Sequence, residues 1–111
     1  MAAVTNLVID QGTTYSVTIT VNDDTGSPRD LSGYTARAQM RRSYYTTSNT
    51  AFTVSVSNPP DGEILMSMPA TTTTNLKAGR YVYDLELVSA NANIVERIVE
   101  GIVTVYPEVT K

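Results

Sequence analysis

A chain of 111 residues with 41% apolar and 17% charged side chains has the balance of one folded domain, spanning 1–111, and is too short for two. Cysteine and histidine are both absent, which excludes disulfides, thiolate or imidazole metal sites, Ser-His-Asp and Cys-His nucleophiles, and an imidazole switch near neutral pH. A net charge of −3 offers phosphate backbones little to bind, so nucleic acid is not an expected partner.

Thr and Val dominate the chain. Both branch at Cβ, which costs freedom in a helix and suits a pleated surface. Residues 4–10 are the expected first strand. Residues 13–21 alternate cleanly, with Tyr15, Val17, Ile19 and Val21 on one face and Thr14, Ser16, Thr18 and Thr20 on the other. Residues 34–41 place Tyr34, Ala36, Ala38 and Met40 inward against Thr35, Arg37, Gln39 and Arg41 outward. Further strands are predicted over 52–57, 63–68, 80–88 and 94–106. Turn residues punctuate them at Asp24-Thr25-Gly26, Ser27-Pro28, Asn58-Pro59-Pro60-Asp61-Gly62 and Asn91-Ala92-Asn93. Gly101 inside the last strand predicts a bulge or a close backbone approach. Pro69 predicts a short helical turn over 70–76.

Short strands at this spacing predict an all-β, immunoglobulin-like antiparallel β-sandwich of about seven strands. Leu76-Lys77-Ala78-Gly79-Arg80-Tyr81 has the spacing of a tyrosine corner, so Gly79 and Tyr81 are its structural residues. Tyr83 stands where an antibody domain carries its second cysteine, and a ring there would fill the volume of that bridge. Apolar runs such as Leu7-Val8-Ile9 and Ile64-Leu65-Met66 are far shorter than the roughly 20 residues that a bilayer requires, so no membrane partner is expected. The N-terminus shows no basic segment before an apolar one, and no signal peptide is expected.

With His and Cys missing, carboxylates lead the candidates for acid and base chemistry. Asp84 and Glu86 share a strand face about 7 Å apart. In an immunoglobulin-like order they lie beside Arg37 and Arg41, and cross-strand ion pairs explain them better than catalysis. Asp23, Asp24 and Asp30 flank a glycine turn. Their spacing fits no EF-hand loop, and carboxylates bonding local amides explain them. Thr71 to Thr74 are expected to cap and solvate the crossover. No catalytic residue, metal or cofactor is therefore expected. Arg37, Arg41 and Arg42 with Tyr44 and Tyr45 form the candidate partner contact, since Arg and Tyr are enriched at interfaces; an ordinary charged strand ending in two tyrosines is the alternative.

At Asp30-Leu31-Ser32-Gly33-Tyr34-Thr35-Ala36-Arg37-Ala38-Gln39-Met40-Arg41 the chain resembles immunoglobulin-like virion modules of tailed phages, among them the N-terminal domain of upper-baseplate proteins and a structural protein of contractile-tailed marine cyanophages. The likeness continues through Gly79-Arg80-Tyr81-Val82-Tyr83-Asp84 and over Glu100-Gly101-Ile102-Val103-Thr104-Val105-Tyr106-Pro107-Glu108-Val109-Thr110. The resemblance implies a non-enzymatic virion component of tail, baseplate or neck, soluble in the host cytoplasm before assembly. Its implied partners are other virion proteins, with a homo-oligomer left open. Such modules often precede fibre regions, and this chain ends at Lys111, as either a stand-alone protein or a fragment. The rival expectation is a carbohydrate-binding or adhesin sandwich, in which Tyr15, Tyr44, Tyr45 or Tyr106 would stack on sugar rings.

Overall fold

The period-two alternation is realised as nine strands in two facing sheets, in a computed structural model that describes residues 3–43, 45, 48–91 and 93–109. In chain order these are β1 (Ala3–Val4), β2 (Leu7–Asp10), β3 (Tyr15–Thr20), β4 (Thr35–Arg41), β5 (Thr50–Ala51), β6 (Thr53–Asn58), β7 (Glu63–Met68), β8 (Gly79–Val88) and β9 (Val95–Tyr106). The larger sheet runs β5-β4-β8-β9, with β1 and β2 both laid along the far side of β9. The smaller sheet runs β3-β7-β6. This is the strand order of an immunoglobulin-like sandwich. Two pairings depart from the antiparallel expectation, because β1 and β2 both run parallel to β9. The expected first strand is also broken at Thr5 and Asn6. No helix among the described residues is long and apolar enough to cross a membrane.

The core is where the inner faces meet. Ile64, Met66 and Met68 of β7 and Met40, Leu85, Leu87, Val103 and Val105 of the larger sheet are almost completely buried. Methionine fills irregular gaps between sheets, having no branch at Cβ to constrain it. Tyr83 occupies the cysteine-equivalent place: its ring meets Phe52 edge-on at 6.2 Å, and Phe52 in turn meets Tyr15 at 6.4 Å. The buried hydroxyl of Tyr83 is satisfied by the Thr5 carbonyl, as a polar group removed from water requires.

Of the two readings of Gly101 the close approach holds: a Cβ there would stand 2.2 Å from the Thr5 carbonyl oxygen. The bulge lies elsewhere on the same strand, at Ile98, where the pairing steps from Leu85↔Val99 to Glu86↔Arg97. The threonine run neither caps nor fully solvates the crossover. Helix α1 spans only Ala70–Thr73 and starts from Pro69 without a side-chain cap. Thr73 is fully buried, its hydroxyl donating to the Thr13 carbonyl at 2.7 Å. Together with Gln11 Nε2, which donates to Leu76 O at 2.7 Å, it ties the crossover to the start of β3. The short β5, paired with β4 at Gln39 and Met40, has no counterpart among the expected strands. The predicted hairpin turn at 91–93 includes Ala92, which lies outside the described residues; the hairpin is closed by Ser89 N donating to Ile94 O at 2.9 Å.

Candidate functional site

Alternation along β4, β8 and β9 brings most of the charge that these strands carry to the outer face of the larger sheet. Arg37 lies opposite Glu86 and Gln39 opposite Asp84. The Arg37 guanidinium donates from Nε to Glu86 at 2.8 Å. Asp84 is met from its other side, by Arg97 of β9 at 3.3 Å, and Arg97 also reaches Glu100 at 3.6 Å. The cross-strand ladder is therefore present, with Arg97 in a place that the alternation had not assigned. The Ile98 bulge puts it there, because one extra residue reverses the faces of everything before it.

The two carboxylates of β8 are thus held by different arginines. Burial pushes the Asp84 carboxyl above its ordinary value, the Glu86 charge adds to this, and Arg97 and Arg41 oppose it. These residues border a shallow open depression of about 320 Å³ lined by Gln39, Arg41, Val82, Asp84, Glu86 and Arg97. Its chemistry is that of an ion-pair lattice, able to exchange charged contacts with a docking surface.

The arginine and tyrosine cluster does not stay together. Arg37 and Arg41 face the ladder, where Arg41 Nη2 donates to Gln39 Oε1 at 3.2 Å. Arg42 turns away to the tyrosine corner, with its guanidinium 4.9 Å from the centre of the Tyr81 ring. A Cβ at Gly79 would meet Arg42 Nη1 at 2.6 Å, and Gly79 has φ +130°. The Tyr81 hydroxyl donates to Lys77 O at 2.7 Å, which is the geometry of a tyrosine corner. Tyr45 projects almost wholly into solvent, 95% exposed. Tyr44 lies outside the described residues.

The acidic turn residues bond locally. Asp23 Oδ1 accepts from Thr25 N, Thr25 Oγ1 and Ser27 N, and these bonds hold its carboxyl below the ordinary range. Asp30 Oδ1 accepts in the same way from the amide and hydroxyl of Ser32. Asp24 is exposed beside them. Among the described residues no group of three or more acidic side chains stands ready for a metal ion.

Sequence reasoning missed one site. Arg29 makes a two-pronged contact with Glu96, Nη1 to Oε2 at 3.0 Å and Nη2 to Oε1 at 2.8 Å, and lies 5.3 Å from the Tyr34 ring centre. This clamp closes one end of the sandwich across 67 residues of chain. The hydrogen bonds from Arg29 hold the Glu96 carboxyl below its ordinary value. Strict alternation back from Val103 and Val99 puts Glu96 on the outer face, so the local pattern gave no signal of this clamp and named no partner.

No family model matches the chain, and no curated protein matches it. Among solved structures it is similar to the crystal structure of the periplasmic chaperone SfaE, at 17% identity and a TM-score of 0.49, covering 98% of this chain. The chain spans 58% of the length of that chaperone chain.

Proposed function

We propose that this chain is a non-enzymatic structural module of a phage virion, acting through protein contacts in the tail, baseplate or neck. One observation carries the reading: the three stretches that resemble phage modules fall on β4, β8 and β9, which are neighbours in one sheet. The resemblance therefore belongs to a contiguous structural unit, and its outer face is the ion-pair lattice. Partners in this reading are other virion proteins. Arg41, which borders the depression on the outer face, and the exposed Tyr45 are the contact residues to test.

The adhesin reading has less to stand on. It needs tyrosine rings free to stack on sugars, and Tyr15 is half-buried against Phe52. Among the described residues, Tyr45 and Tyr106 are the exposed rings that remain to it. Mass spectrometry of purified virions tests the proposal: the polypeptide is expected in particles, and its recovery only from uninfected cells refutes the assignment. Arg41→Ala combined with Tyr45→Ala is expected to weaken recruitment to the particle without unfolding the domain. Specific glycan-array binding, lost on substitution of Tyr45 or Tyr106, would favour the adhesin.

A further inference from the structure

The smaller sheet ends in two edges, β3 and β6, and they are unlike. Pairing of β6 with β7 slips between Ser55 and Asn58, and such an irregularity spoils an edge as a template. The register of β3 with β7 is unbroken from Tyr15↔Met68 to Thr20↔Glu63. Its sequence, Tyr15-Ser16-Val17-Thr18-Ile19-Thr20, holds no charge and no proline, the two devices that usually blunt an edge. The inward side chains Tyr15, Val17 and Ile19 are only half-buried, whereas Met68, Met66 and Ile64 opposite them are buried. The exposed remainder lies on the side where no strand follows among the described residues.

Backbone polarity points the same way. Val21 N donates to Gly62 O, and Val21 O accepts from Arg29 N, so this residue spends both groups on the β7 side. Bonding direction alternates along an antiparallel strand. Tyr15, Val17 and Ile19 therefore bond β7, while Ser16 and Thr18 turn their amides and carbonyls to the open side.

We propose that β3 pairs antiparallel with β3 of a second copy of this chain, about a twofold axis at Val17. In this register Ser16 of each copy exchanges main-chain hydrogen bonds with Thr18 of the other, and Tyr15 lies opposite Ile19 on the inner face. The strand is complementary to itself here: apolar meets apolar, hydroxyl meets hydroxyl, and no charge meets a like charge although each chain carries −3. A self-complementary patch closes as a twofold dimer, and the two smaller sheets become one continuous sheet. The virion reading requires no particular homo-oligomer, so the two proposals stand or fall separately.

Sedimentation of the full chain over a concentration series tests this, and a concentration-dependent dimer is expected. Thr18→Pro removes an amide that faces the partner and none that bonds β7, so the dimer dissociation constant is expected to rise about tenfold or more. Val17→Cys supplies the sole thiol of the chain at the axis, where opposed Cα atoms at roughly 4.5 Å permit a disulfide. Mild oxidation is expected to yield a covalent dimer from Val17→Cys and none from Ser55→Cys on β6. A chain that stays monomeric at every concentration and fails to cross-link through Val17→Cys overturns the proposal. So does a dimer that Thr18→Pro leaves intact, or one that cross-links through Ser55→Cys instead.

Discussion

The phenol of Tyr83 donates to the carbonyl of Thr5 at 2.5 Å, at the point where the N-terminal strand breaks between β1 and β2. The break is held from three sides. Thr5 N donates to Glu100 O at 2.9 Å, and Asn6 Oδ1 accepts from Ile102 N at 3.1 Å. Gly101, opposite, leaves the space that the Thr5 carbonyl enters. A core tyrosine thus anchors an edge segment, joining the packing of the two sheets to the placement of β1.

Tyr83→Phe is expected to lower stability by about 1–2 kcal/mol, because the ring stays packed while a part-buried carbonyl loses its donor. Burial pushes the Tyr83 phenol up to about 12, with the Tyr15 charge adding to the shift. The fold therefore favours the neutral phenol, and its advantage is full below the unfolded value of 10.0 and is lost as pH rises to about 12. Urea unfolding from pH 9 to 12 should show a steep alkaline loss in the wild type and a shallower one in Tyr83→Phe.

Gly101→Ala is expected to cost about 1–3 kcal/mol or more, since the new methyl meets main chain that cannot rotate away. Gly26→Ala makes the control. Its φ is +85° and nothing stands within 4 Å, so only backbone strain of about 1–2 kcal/mol is expected. Denaturant midpoints at one pH compare the two, and a Gly101→Ala loss no larger than that of Gly26→Ala would show that β1 yields freely.

At the tyrosine corner, Tyr81→Phe removes the bond to Lys77 O and is expected to cost about 0.5–1.5 kcal/mol. Arg42→Ala removes the cation over the ring and is expected to cost less than about 1 kcal/mol at this exposed site. The two changes remove different contacts, since phenylalanine keeps the ring under the guanidinium, so the double variant should come close to the sum. A double-mutant cycle in urea measures the coupling.

The acid limb of stability should separate two carboxylates. Glu96 is held below its ordinary value by Arg29, so its contribution is present above the unfolded carboxylate range and lost as pH falls through the folded value. Asp84 is raised, chiefly by burial, so its charged form is disfavoured and its contribution declines as pH rises through the shifted value. Glu96→Gln should therefore destabilise at pH 7 and little at pH 3. Asp84→Asn should be neutral or stabilising at pH 7. Urea midpoints at the two pH values decide both.

The strands were legible because Thr and Val alternate at period two wherever one face is wet and the other dry. The tyrosine corner was legible as well, its hydroxyl reaching back only four residues from Tyr81 to Lys77. The bulge at Ile98 was not, because an extra residue in a strand of branched side chains changes no composition and adds no glycine. Its consequence, Arg97 facing the ladder and Glu96 facing Arg29, reverses what unbroken alternation back from Val103 and Val99 predicts. Arg37, Arg41 and Arg42 looked like one cluster for a similar reason. Neighbours in sequence diverge once a strand ends, and Arg42 lies just beyond β4.

Sequence alone determined that this chain forms two layers of strands with Met40 and Tyr83 inside, because side-chain alternation and turn chemistry are local properties. Tertiary structure alone decided which charges pair, which threonine is buried, where the first strand breaks and which edge stays open. Each of these depends on register between segments far apart in the chain, and a shift of one residue exchanges the faces of a whole strand.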